Sequence, residues 1–202
     1  MAMRDGPSGQ SMSDWQNVFQ ESPPDLPEYL SQWLLDEGSL TVKMQAICEE
    51  PCKVNLLHQD EIAIEKEEAE LLGLPVGSSA WVREVILQGC AEDWVYARTI
   101  IPPAAMTGRL ESLLTCPTKP LGVWLFRKPA IPREELEIGR MSADALGLGI
   151  ATIDSQALLW ARRSRFRLAA GGILIKEVFL PDFVAFLTEN QSRDPRLSKR
   201  TV

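Results

Sequence analysis

The run from Ala161 to Leu180 constrains the fold more than any other part of the chain. Two stretches of strand-like alternation, Ala161–Leu168 and Ile173–Leu180, flank Ala169-Ala170-Gly171-Gly172, whose glycines supply the backbone freedom a turn needs. The segment therefore reads as an antiparallel hairpin. An even-length loop centred on Ala170-Gly171 pairs Leu168 with Ile173, Phe166 with Ile175 and Ser164 with Glu177. Residues two apart share a face of a strand. One face is then apolar except for Ser164 and Glu177, while the other carries Arg163, Arg165, Arg167 and Lys176 and reads as the solvated side. Glu177 is expected to point into the core.

A second hairpin pairs Ala80–Leu87 (AWVREVIL) with Trp94–Ile101 (WVYARTII) across the polar loop Gly89–Asp93. Pro102-Pro103 and Pro181 end the strands. Here Trp81, Arg83, Val85 and Leu87 share a face, so Arg83 sits in an apolar row. Burying either charge alone costs several kcal/mol, so each needs a partner, or Glu177 a proton. Arg83 and Glu177 could pair as a structural ion pair. They could instead flank a ligand cavity, a reading favoured by their wide separation in sequence and by the apolar groups around each. In a cavity Arg83 would take a carboxylate in a bidentate fork, and Glu177 would accept from a hydroxyl.

Helical signals cover Pro27–Leu35, Thr41–Cys48 with Ser39 as N-cap, Glu65–Leu72 ending at Gly73, and the surroundings of Arg109–Leu114 and Leu121–Arg127. The fold class is α+β: an antiparallel sheet with helices on one face. At 202 residues and 45% apolar composition, one domain over residues 26–189 is expected, between mobile segments at 1–25 and 190–202.

The net charge of −7 argues against a nucleic-acid or anionic-membrane partner, so any anionic ligand must be held by local cations. The run Arg162-Arg163-Ser164-Arg165-Phe166-Arg167 is explained better as a solvated strand face than as an RNA-binding patch. Met1–Ser13 carries no apolar segment of signal-peptide length and no later stretch approaches the length of a membrane helix, which leads us to expect a cytoplasmic protein without stable membrane insertion. Four cysteines and the lone His58 are too few and too scattered for a disulfide scaffold or a zinc site, so free thiols and no metal are expected.

Seven phrases in order, WLLDEGSLT (33–41), WVREVIL (81–87), ARTIIP (97–102), PLGVWLF (120–126), EIGR (137–140), WARRSRFRL (160–168) and IKEVFLP (175–181), resemble chorismate lyase. Enzymes of that family split chorismate into 4-hydroxybenzoate and pyruvate. The resemblance implies a central sheet of about six antiparallel strands, with helical flaps over an internal ligand site. It also implies that Arg83 grips the ring carboxylate and Glu177 meets the ring hydroxyl. Leu121 and Leu40 contact the ligand partly through backbone groups in this analogy, and Leu40 stands where the family has methionine. Arg98 is a candidate second cation for the dianionic substrate, or else structural, since it shares a face with Trp94, Tyr96 and Ile100.

The elimination needs no metal or organic cofactor, because forming an aromatic ring drives it. The resemblance implies a place in ubiquinone-type biosynthesis, and a monomer is expected. Residues 141–159 (MSADALGLGIATIDSQALL) depart from the family pattern as an insertion of roughly fifteen residues, expected to add a helix or flap. The alternative function is a ligand-sensing domain of the same fold, as found behind helix-turn-helix modules. Residues 1–30 are too short and proline-rich for such a module.

Overall fold

Both hairpins form. β3 (Ser79–Gly89) and β4 (Glu92–Ile101) are joined by a turn whose residues, Cys90 and Ala91, adopt positive φ of 51° and 67°, matching the twist of the strands. β6 (Leu158–Leu168) and β7 (Gly171–Phe179) turn through Ala169-Ala170 alone, so the pairing is two residues away from that expected. Phe166 faces Ile173, Ser164 faces Ile175, and Arg162 faces Glu177. A shift of two keeps every side chain on its expected face and changes only its partner. Gly171 opens β7 at φ 134°, so it belongs to the strand rather than to the loop.

The computed structural model describes residues 15–17, 25–146, 154 and 156–190. Among these, β1 (Gln16–Asn17), β2 (Lys53–Ala63) and β5 (Arg133–Ser142) complete one antiparallel sheet in the order β1-β5-β6-β7-β4-β3-β2. Alternation does not reveal β2, an edge strand largely open to solvent on both faces. Of the segment 1–25, residues 15–17 and 25 are described, and Gln16 and Asn17 pair with Ile138 and Glu137. The remainder of that segment, the tail 191–202, and residues 147–153 and 155 of the insertion lie outside the described residues. Met141 and Ser142 of the insertion finish β5, Asp144–Leu146 makes a 3-10 turn, and Leu158 and Leu159 open β6.

The helices α1 (Glu28–Leu34), α2 (Leu40–Gln45), α4 (Gly122–Leu125) and α5 (Pro181–Asn190) lie over the face that carries Arg83 and Glu177. Ser39 caps α2 by accepting from the Val42 amide. Two apolar clusters form beneath them. One joins Leu30, Trp33, Leu34 and Phe183 to Leu87, Val95 and Phe179, and the other joins Leu113, Trp124 and Leu125 to Trp81, Phe166 and Ile173.

The opposite face is not simply solvated. Arg163 and Lys176 are buried there, because α3 (Lys66–Leu72) sets Glu67 against Arg163 and Glu68 against Lys176, while Glu137 on β5 also pairs with Arg163. Arg167 remains exposed. These ion pairs leave the basic run no bare cationic face, consistent with the acidic composition.

Candidate active site

Strand register brings the inward charges near one another without pairing them. Arg83 on β3 is opposite Thr99, Thr99 is opposite Ile175, and Ile175 is opposite Ser164. The next row runs Val85, Ala97, Glu177, Arg162. Arg83 and Glu177 thus lie two strands and two residues apart, roughly 12 Å between Cα atoms from ordinary sheet spacings. The centre of these rows holds small side chains, Ala97, Thr99 and Ser164, and the space they leave becomes a cavity of about 520 Å³, counting solvent-facing space. It borders both apolar clusters. Leu40 roofs it from α2, and Leu121, Leu125 and Phe126 roof it from in and around α4.

Arg83 is 2% exposed and forms no ion pair among the described residues. Its Nε and Nη2 donate to the Pro117 carbonyl at 3.2 and 2.6 Å, and Nη2 also donates to the Lys119 carbonyl at 3.0 Å. The Nε–Nη2 side of the guanidinium is therefore spent on the loop leading to Leu121, which removes the expected bidentate fork on that side. Nη1 makes no hydrogen bond among the described residues and is the donor left for a ligand. Burial lowers the pKa of Arg83 to about 10, still above neutral, so the side chain stays cationic.

Glu177 is held by a residue that sequence reasoning passed over. Arg162 Nε donates to Glu177 Oε2 at 2.6 Å, while Arg162 Nη1 donates to the carbonyls of Trp33 (2.9 Å) and Asp36 (2.8 Å). The signal was available, since Arg162 has the parity of Ser164 and Phe166, but the basic run around it masked this. Arg133, at the start of β5, also lines the cavity, stacked on Phe166 with its guanidinium carbon 5.0 Å from the ring centroid. Its Nη1 donates to the Asp36 carbonyl at 3.1 Å. Burial, with the charge of Arg162, lowers its pKa to about 10.

Arg98 is not brought to the cavity. It points to the opposite face, where Nε and Nη2 grip both oxygens of Glu68 at 2.8 and 3.0 Å and Nη1 donates to Glu84 at 2.7 Å. Burial opposes that charge, but the two carboxylates outweigh it and hold Arg98 above its ordinary pKa. The charged residues that do line the cavity are Arg83, Arg133, Arg162 and Glu177, an excess of two positive charges in an acidic protein. That excess, beside a single carboxylate, suits a small anion that also brings a hydrogen-bond donor for Glu177. No cluster of three or more histidine, cysteine or acidic side chains among the described residues could hold a metal.

A family model described as chorismate lyase matches residues 12–186. A Pseudomonas aeruginosa protein named "Probable chorismate pyruvate-lyase" is 39% identical over 149 residues, covering 74% of this chain and 82% of that protein. A Yersinia enterocolitica protein named "Chorismate pyruvate-lyase" is 34% identical over 163 residues, covering 79% of this chain and 85% of that one. Among solved structures, the effector domain of PhnF from Mycobacterium smegmatis superposes with a TM-score of 0.55 at 18% identity, over 72% of this chain and 90% of that chain. A GntR-family regulator from Bacillus cereus gives a TM-score of 0.52 at 14% identity, over 65% and 92%. At such identities these two likenesses show a shared fold and nothing about ligands.

Proposed function

The chain belongs to the chorismate lyase family, and we propose that within it this protein converts chorismate to 4-hydroxybenzoate and pyruvate, using the Arg83–Glu177 cavity as its active site. The observation that carries the reading is Arg83: a buried cation with no carboxylate partner among the described residues, facing a cavity whose one lining carboxylate lies on the far side. A small acid is what that cation lacks.

In this reading Arg83 Nη1 takes the ring carboxylate, and Glu177, steadied by Arg162, accepts from the ring hydroxyl through Oε1. Leu40 and Leu121 close over the ring. The ether carbon–oxygen bond then breaks with its electron pair leaving on the enolpyruvyl oxygen. The hydrogen on the hydroxyl-bearing carbon departs as a proton, and the ring becomes aromatic. A proton delivered to the enolpyruvyl methylene carbon completes pyruvate. Aromatisation supplies the driving force, so no cofactor is required, and the protein contributes orientation and preset charges. Within its family role the product would feed ubiquinone-type biosynthesis. No helix among the described residues is long and apolar enough to cross a membrane.

Incubating the purified protein with chorismate and measuring 4-hydroxybenzoate and pyruvate in equal amounts tests the proposal. Absence of both products overturns it.

A further inference from the structure

Two polar groups in the cavity have no role in holding a monoanion. Ser164 is 1% exposed, and its Oγ has no hydrogen-bond partner among the described residues. Arg133 Nε is likewise buried and unpartnered. Both residues line the cavity. A buried polar group left without a hydrogen bond is destabilising, so two together at one wall call for a ligand atom. The third inward guanidinium cannot serve as well, because Arg162 is engaged by Glu177 and by the carbonyls of Trp33 and Asp36.

Position decides which ligand atom. Ser164 pairs with Ile175 and Arg162 with Glu177, so Ser164 is the diagonal neighbour of Glu177 across adjacent strands, about 7–8 Å away at Cα. On chorismate the ring carbon bearing the hydroxyl adjoins the one bearing the enolpyruvyl ether. A ring whose hydroxyl meets Glu177 therefore directs the ether substituent to one side, where Ser164 and, beyond it on β5, Arg133 stand. We propose that Arg133 and Ser164 form a second anion subsite that takes the enolpyruvyl carboxylate, the group that leaves as pyruvate. The inference rests on the proposed function and deepens it: the substrate engages both Arg83 and Arg133, whereas 4-hydroxybenzoate engages Arg83 alone. Arg133 and Ser164 are then specificity residues that favour the dianion over the product.

The test compares R133M, which keeps an apolar stem against Phe126 and Phe166, with S164A and the unaltered protein. Three readouts are used: KM for chorismate, Ki for 4-hydroxybenzoate, and Kd for 3-(carboxymethoxy)-4-hydroxybenzoate, a stable aromatic dianion. R133M is expected to raise KM by about tenfold or more, the loss of roughly one charge-assisted hydrogen bond, while Ki moves less than about twofold. S164A should move KM the same way by a smaller factor. The unaltered protein should bind the stable dianion more tightly than 4-hydroxybenzoate, and both variants should lose that preference. KM and Ki rising together in R133M would mean that Arg133 only braces the Asp36 carbonyl, and the inference falls. It falls too if the unaltered protein shows no preference for the dianion, a result that needs no variant to fold. A protein that binds the dianion preferentially but makes no 4-hydroxybenzoate would sink the proposed function and leave the subsite standing.

Discussion

Arg162 and Glu177 face each other across β6 and β7, with Nε and Oε2 2.6 Å apart. The arginine side chain is 1% exposed and the glutamate 13%. The carboxylate is thereby pinned on one oxygen, and Oε1 has no hydrogen-bond partner among the described residues. The same guanidinium reaches the carbonyls of Trp33 and Asp36, tying β6 to the last turn of α1 and the segment that follows it.

Glu177→Gln keeps the shape and removes the charge. Turnover of chorismate should fall by about 100-fold or more, in the range expected for losing a positioned acid–base or electrostatic group, and 4-hydroxybenzoate should bind less tightly by a smaller factor, since its hydroxyl loses a charged acceptor. Steady-state assays of product formation together with Ki measurements check this. Full activity would make the carboxylate structural.

Arg162→Met tests the brace. Breaking a buried pair by removing one partner costs about 3–5 kcal/mol, because the remaining charge keeps its desolvation penalty. The denaturation midpoint should drop accordingly, and any folded fraction should have lost turnover. A variant as stable as the parent would contradict the brace.

Gly122 and Ser39 test the roof. A Cβ on Gly122 would lie 2.5 Å from Ser39 Oγ and 3.2 Å from Ser39 Cβ, so α4 and the start of α2 approach as closely as they do because residue 122 has no side chain. Rotating the serine oxygen away would cost the N-cap of α2, about 1 kcal/mol. Gly122→Ala should therefore loosen the two covers and weaken 4-hydroxybenzoate binding by about tenfold, readable by calorimetry. Unchanged affinity would show that the covers do not close together on the ligand.

The face behind the site predicts the acid limit of stability. Burial pushes the Glu68 carboxyl up, but hydrogen bonds from Arg98 and the charges of Lys176 and Arg98 outweigh it, and the pKa is held below its ordinary 4.5. A carboxyl with a lowered folded-state pKa contributes stability above 4.5 that is lost as pH falls through the folded value. Glu68→Gln should lower stability at neutral pH and flatten its decline below about pH 4.5, in denaturant titrations at stepped pH. An unchanged acid slope would contradict the assignment.

Much of this was legible in the sequence, for stated reasons. Strand alternation placed Arg83 and Glu177 on the inner face, because a period of two survives even when the turn is misjudged. The glycines of Ala169-Ala170-Gly171-Gly172 suggest a longer loop than the two-residue turn that forms, and this conceals the pairing of Arg162 with Glu177. Alternation gave no sign of β5, whose Arg133-Glu134-Glu135 start is polar, and with it went Arg133. Arg163 and Lys176 read as solvated because a strand does not announce which distant helix will cover it. Here α3 does, and a basic strand face under an acidic helix is a buried one.

Whether a small acid spans Arg83 and Glu177 is read from a crystal structure of the protein with 4-hydroxybenzoate. The carboxylate is expected within hydrogen-bond distance of Arg83 Nη1 and the hydroxyl on Glu177, beneath Leu40 and Leu121. A ligand bound elsewhere, or turned with its hydroxyl toward Arg83, would contradict it.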